Sequence, residues 1–157
     1  MEKTISLSGD SNIGVFARVF DDIAVVPPAS PEEFREALSG IFSVEIVETP
    51  LQGSGIIGAL LAGNRNGFVV SGFADKSEIA TLAEYRELCL LEHTMNAAGN
   101  IILANDSLAL VHPDMPDQMA ADIGEILKTP VHRITFAGIK TVGMAAVASN
   151  RGFMVQR

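Results

Sequence analysis

The sequence predicts an α/β protein built from a repeated strand–strand–helix–strand unit, and three observations carry that reading. Four glycines, Gly14, Gly58, Gly99 and Gly143, recur at intervals of 41 to 44 residues. After each come an apolar run, a polar turn six to eight residues on, and a second apolar run. In the first three copies a helix-starting segment then follows, with a further short apolar run behind it. Units of this size cannot bury both faces of their strands alone, so a fixed period implies stacking on neighbours, in a line or around an axis.

Within each copy the elements follow from local chemistry. The turns are Asp21-Asp22, Arg65-Asn66-Gly67, Asp106-Ser107 and Asn150-Arg151-Gly152. They lead into Ile23 to Val26, Phe68 to Val70, Leu108 to Val111 and Phe153 to Val155. Short polar turns between aliphatic and β-branched runs are hairpin signals, strongest where Asn-Gly occurs. Ser30-Pro31-Glu32-Glu33 offers a capping serine, a proline at the first helical position and a glutamate three residues after the cap. Asp75-Lys76-Ser77-Glu78 repeats the pattern without proline, and Asp114-Met115-Pro116-Asp117 is a looser version. Glu32, Glu33, Asp75 and Asp117 read as acids matched to the helix dipole, not as catalytic pairs. Each helix then shows one apolar stripe: Phe34, Ala37, Leu38 and Ile41; Ile79, Leu82 and Ala83; Met119, Ile123, Ile126 and Leu127. Short strands at Val44 to Val47, Leu88 to Leu91 and Val131 to Ile134 end the units. The expected division is therefore 14–57, 58–98 and 99–142, with a partial copy over 143–157. Residues 1–13 carry an N-terminal strand, Thr4 to Leu7, expected to complete the last unit and close a ring.

Composition narrows the function. With 157 residues, 48% apolar, and a mean hydropathy of +0.30, the chain forms one domain with a real core, not a disordered segment. Its longest apolar stretches, such as Ile56 to Ala62, fall far short of a membrane span. Met1-Glu2-Lys3-Thr4 lacks a charged-then-apolar leader, and the single Cys89 forms no internal disulfide, so the expected compartment is the cytoplasm. A net charge of −8 and a pI near 4.7 disfavour free nucleic acid and favour a basic protein surface as partner.

Residues that suggest chemistry have simpler readings. His93, His112 and His132 lack the spacing of a compact metal site, and His112-Pro113 reads as a strand-to-helix turn. Gly53-Ser54-Gly55 does not continue into a phosphate-cradling motif. Neither a cofactor nor a metal is expected. The repeat glycines read as close backbone approaches or positive-φ positions at the start of each unit.

Several segments carry a family resemblance. They are Asn12-Ile13-Gly14-Val15-Phe16-Ala17, Ile56-Ile57-Gly58 with Gly63-Asn64-Arg65-Asn66-Gly67, and Ala98-Gly99-Asn100 with Ala104-Asn105-Asp106. Ala109-Leu110-Val111-His112-Pro113-Asp114 and Thr141-Val142-Gly143 with Ser149-Asn150-Arg151-Gly152 complete the set. In order and spacing the whole chain resembles translation initiation factor 6, the archaeal and eukaryotic ribosome anti-association family, and looks archaeal in lacking a long C-terminal extension. The resemblance implies a pentein-type β/α propeller: five strand–strand–helix–strand modules about a pseudo-fivefold axis, helices outside. It implies a protein without catalysis that binds the joining face of the large ribosomal subunit, mainly through a ribosomal protein, and sterically blocks the small subunit. A translational GTPase and a partner factor would assist its release.

This chain shows three modules and a hairpin, so the propeller is incomplete, and the sequence is read as a fragment, with a naturally short relative as the alternative. An open ring would expose two strand edges and favour self-association. By resemblance, the residues after the repeat glycines, Val15, Ala59, Asn100 and Met144, face the ribosome. Asn100 is the polar one and the first candidate contact, against a reading in which it caps local backbone. Ala59 stands where the family can carry a long basic residue. Asn64, Arg65 and Arg151, in hairpin turns, are the further candidates, with exposed turn arginines as the plain reading. The pentein fold also hosts guanidino-modifying enzymes that use Cys, His and a carboxylate. Cys89, between Leu88 and Leu90 mid-chain, fits a small core residue better than a nucleophile. A shortened, self-assembling scaffold is the remaining alternative.

Overall fold

The computed structural model describes residues 4–155. Its elements run helix, strand, strand, helix, strand three times, then helix, strand, strand. The first unit holds α1 (Ile13–Phe16), β1 (Arg18–Val19), β2 (Ile23–Val26), α2 (Glu32–Phe42) and β3 (Glu45–Glu48). The second holds α3 (Ile57–Leu60), β4 (Leu61–Gly63), β5 (Gly67–Ser71), α4 (Lys76–Ala83) and β6 (Glu87–Leu91). The third holds α5 (Ala98–Ile101), β7 (Ile102–Ala104), β8 (Ala109–Val111), α6 (Asp117–Leu127) and β9 (Val131–Arg133). The last holds α7 (Val142–Ala145), β10 (Ala146–Ser149) and β11 (Gly152–Val155).

Each of the first three units makes its own three-stranded sheet. An antiparallel hairpin is joined by a parallel third strand, as where Val69 lies opposite Ala62 on one side and Cys89 on the other. The parallel step needs a crossover, which the long helix supplies. The last unit is a two-stranded hairpin, Ala146 paired with Val155. Among the described residues the protein is thus α/β, with four small sheets that do not join into a closed barrel.

The core forms between units as much as within them. Side chains alternate across a strand, so each sheet has two faces to cover. On the first sheet Ala24 and Val26 meet Phe34 and Leu38 of α2, while Ile23 and Val25 point the other way, into a cluster with Phe68, Val70 and Leu82 of the second unit. The second sheet repeats this: Val69 and Cys89 pack with Ile123 and Leu127 of α6. Every residue of β2 and β5 is consequently buried, as continuous apolar strands require. Among the described residues the fourth unit has no long helix. The third sheet's outer face therefore gains only a small cluster around Leu103, Val142 and Ala146. Val147 and Met154 stay 70% and 77% exposed.

Three local expectations are corrected. The repeat glycines lie in one-turn helices, not in plain apolar runs; four residues are too few to show helical periodicity. Ser30 does not cap α2: Pro31 occupies the cap position without a side-chain bond, and the Ser30 hydroxyl donates to the Pro27 carbonyl at 2.6 Å. In the second unit Glu78 does reach back to the Asp75 N–H at 2.8 Å. Its carboxylate also accepts from Gln52 and Gly53 N–H, both at 2.9 Å, tying the end of the first unit to the second. Finally, Thr4 to Leu7 is not a strand. The backbone groups of Leu7 are taken by Asp10 in a tight bridge, both hydrogen bonds 2.9 Å, and Ile5 and Leu7 pack beside the first unit's core. No closing strand for β10–β11 is present among the described residues. Residues 1–3 and 156–157, at the outer ends of the segments expected over 1–13 and 143–157, lie outside the described residues.

Candidate functional site

The one-turn helices touch in chain order, α1 on α3, α3 on α5, α5 on α7, and glycine makes each contact possible. A Cβ on Gly58 would fall onto the Gly14 carbonyl and 2.8 Å from that of Ala17. One on Gly143 would fall onto the Gly99 carbonyl and 2.8 Å from that of Ile102. None of these glycines has a positive φ, so close approach is the reason for the residue type. Gly14 has nothing within 4 Å of an added Cβ, because no helix of the described residues precedes α1.

The stack fixes two separate ends. On one, Val15, Ala59, Asn100 and Met144 line a cavity together with Met154 and Val155. Strands β4 and β7, three residues each, lead from there to the other end, where the hairpin turns meet. There the Arg65 Nε–H donates to Asp106 Oδ2 at 2.8 Å, and Asp21 Oδ2 lies 4.0 Å from Arg65 Nη2. The Asn150 amide donates to Asp21 and to Asp106, both at 2.6 Å, bringing the last turn onto the first.

The sequence candidates are thereby divided. Asn100 sits at the helix end, partly exposed, its N–H donating to the Ala97 carbonyl at 2.9 Å. Its side-chain amide makes no hydrogen bond and no helix cap among the described residues, unlike the amides of Asn64, Asn66, Asn105 and Asn150. Asn64, at the turn end, is 4% exposed. Its Nδ2 donates to Asn105 and Leu127 carbonyls at 3.1 and 2.8 Å, and its Oδ1 accepts from Asn66 and Gly67 N–H. Arg65 is exposed and paired as described. Arg151 is exposed at the same end, with its backbone N–H on Ser149 Oγ at 3.1 Å.

Two arginines escaped the sequence reading, because an arginine turned into the fold, buried or half-buried, has no local pattern. Arg86 is 7% exposed and pairs with Asp22; its guanidinium carbon lies 4.9 and 4.8 Å from the Phe20 and Phe68 ring centres. It bolts the second unit to the first by charge and by cation–π attraction. Arg18, in β1, points into the middle of the stack, and its Nη2 donates to the Gly58 carbonyl and, at 3.3 Å, to that of Gly99.

Groups that would carry chemistry are placed otherwise. Cys89 is buried in the second unit's core, and desolvation, with a smaller push from Asp122, raises its thiol to about 11. At pH 8 it is therefore protonated and enclosed. Alkylation by a thiol reagent is expected to be far slower than for a free cysteine and to appear only on unfolding; a fast reaction in the folded protein would contradict this placement. His112 Nδ1 accepts from the Asp114 N–H at 3.1 Å and so shapes the turn into α6. Among the described residues no group of three His, Cys, Asp or Glu side chains is arranged to hold a metal, and no helix is long and apolar enough to cross a membrane.

Known proteins resemble this chain over nearly its whole length. Translation initiation factor 6 of Methanoculleus marisnigri is 57% identical over 99% of this chain and 70% of the relative. The proteins of the same name from Methanospirillum hungatei and Methanocorpusculum labreanum are 56% and 50% identical over the same shares. Among solved structures, an amidinotransferase from Microseira wollei superposes with a TM-score of 0.49 at 8% identity, over 91% of this chain and 46% of that one. The eIF-6 family model matches residues 2–157, a span that takes in the three glycine seams and both ends of the stack, and to that family this chain belongs.

Proposed function

We propose that the protein is a translation initiation factor that binds the large ribosomal subunit, chiefly through a ribosomal protein, and blocks its association with the small subunit. The reading rests on family membership over the whole chain. The observation that carries it to a surface is Asn100, a partly exposed amide with no partner among the described residues, on the end lined by Val15, Ala59 and Met144. Unpaired donors and acceptors on a rigid support are what a docking partner can use without reorganising the fold. The net charge of −8 draws such a surface toward a basic ribosomal protein and raises the association rate. Blocking by bulk requires no reacting groups, in keeping with the enclosed Cys89 thiol, and the protein would act in the cytoplasm.

The finer fold belongs to the same proposal. Four units related by the same helix-on-helix seam, with the last turn returning to Asp21 of the first, suit part of a pentein-type propeller divided at 14–57, 58–98, 99–142 and 143–157. In that arrangement Gly14, Gly58, Gly99 and Gly143 are scaffold, while Asn64 shapes the turn end and Arg65 and Arg151 extend from it.

Co-sedimentation with purified archaeal large subunits tests the reading. The protein is expected to travel with the large subunit at moderate salt and to lower the yield of joined ribosomes. Migration free of the subunit would overturn the proposal. A second reading, self-assembly, is favoured by the exposed Val147, Met154 and Phe153 of the last hairpin. Sedimentation of the protein alone separates the two, since a scaffold forms oligomers without ribosomes.

A further inference from the structure

We infer that the cavity in the middle of the stack is a binding site for one small oxyanion, a carboxylate or a phosphate, held by Arg18. The cavity has a volume of about 380 Å³, and its lining is mostly apolar, with Phe20, Ala62, Ile102, Leu103 and Val147 around Arg18. A guanidinium carries five N–H groups. Two of them, on Nη2, are directed at the carbonyls of Gly58 and Gly99. The Nε–H is enclosed with no acceptor, and Nη1 has none among the described residues either. An enclosed nitrogen without an acceptor also occurs at Arg35 Nε and Arg86 Nη1, but those guanidiniums are paired with Glu48 and Asp22, and Arg18 combines the orphan with no carboxylate partner among the described residues.

No carboxylate among the described residues lies within ion-pairing distance of this group, although Arg35, Arg65, Arg86 and Arg133 all have one. Arg18 is half-buried with its Nε enclosed, and a charge held partly out of water without a counter-ion is unfavourable. The desolvation lowers the Arg18 pKa to about 10, which still leaves it cationic at neutral pH. If its role were only to bridge two carbonyls, a neutral donor would serve with less penalty. Water can find partners at the polar mouth of the cavity, at Asn105, Asp106 and Asn150, but it brings no charge, whereas an oxyanion supplies both acceptors and the missing charge, in the planar geometry that arginine favours. Asp21 and Asp106 stand where the cavity meets the turns, but Arg65 lies between them and offsets their repulsion.

The proposal concerns the middle of the stack and stands or falls independently of ribosome binding. Its test follows the Arg18 Nε–H resonance in 15N-labelled protein during titration with sodium phosphate and, separately, sodium acetate. Ionic strength is held constant with chloride, and the resonance is assigned by its loss in Arg18→Lys. A saturable shift is expected, one ion per chain, with the tighter of the two ions naming the class. At about ten times the dissociation constant the melting temperature should rise by about 4 °C. Asp106→Asn should keep the effect and Arg18→Lys should remove it. A resonance that stays still, or drifts without saturating while the melt follows ionic strength alone, overturns the inference. If Arg18→Lys does not fold, the resonance is assigned by through-bond correlation, and the titration of the unaltered protein decides alone.

Discussion

Gly99→Ala is expected to unfold the protein or to lower its stability by more than about 4 kcal/mol, a range that few mechanisms reach, severe overpacking among them. The new methyl would lie on the Gly58 carbonyl, 2.6 Å from Arg18 Nη2 and 2.9 Å from the Ala59 carbonyl carbon. Two of these three neighbours are backbone atoms and cannot rotate away. Relief requires α5 to separate from α3, which opens the cluster where Ala98 and Ile101 pack with Ala62 and Val69. Gly58→Ala should behave alike, for its methyl meets the carbonyls of Gly14 and Ala17. Gly14→Ala is the internal control. It changes the same residue type at the same place in the repeat, but nothing lies within 4 Å of the added carbon. Alanine also holds a helix better than glycine by about 1 kcal/mol. Its expected melting temperature is equal to or above that of the unaltered chain. Thermal melts of the three variants are the measurement. If Gly14→Ala fell as far as Gly99→Ala, the seam would not be what requires glycine.

That contrast shows which parts of the architecture can be read from sequence. The spacing of glycines revealed the period, and the apolar runs located the three-stranded units because sheet and helix patterns depend on residues close in the chain. Ile23–Val26 emerged with the boundaries its composition implies. The one-turn helices remained hidden, since four residues give no periodicity. So did the tight bridges Leu7–Asp10, Leu51–Ser54 and Phe136–Ile139. These put Ser8, Gln52 and Ala137 at positive φ, where the usual sequence signal is asparagine or glycine. The candidate site was legible as a set of residues but not as a surface. Gly58 to Arg65 reads as one motif, yet β4 carries its two halves to opposite ends, leaving Asn100 on one and Arg65 on the other. Arg18 and Arg86 were invisible because their partners, Gly58, Gly99, Phe20, Phe68 and, for Arg86, Asp22, come from other elements.

The same division gives the binding proposal its sharpest prediction. Asn100→Trp is expected to weaken association with the large subunit by about 100-fold, and Asn100→Ala by about tenfold, the range for a central polar contact and for steric blockage at a docking site. Neither should shift the melting temperature by more than about 2 °C, because the amide supports nothing in the fold and substitutions outside the core stay within about 0.5 kcal/mol. Arg65→Ala supplies the comparison from the far end. It removes an exposed ion pair with Asp106, a contact of about 0.5 kcal/mol in stability, and should leave subunit binding within about twofold. Binding curves from co-sedimentation, paired with melts, decide among three outcomes. A selective loss with Asn100→Trp places the ribosome at the helix end of the stack. A selective loss with Arg65→Ala moves it to the turn end and overturns the assignment of the surface while keeping the function. A large fall in the melt of Asn100→Ala assigns the amide to the scaffold, since a side chain free of hydrogen bonds in the fold has no stability to lose.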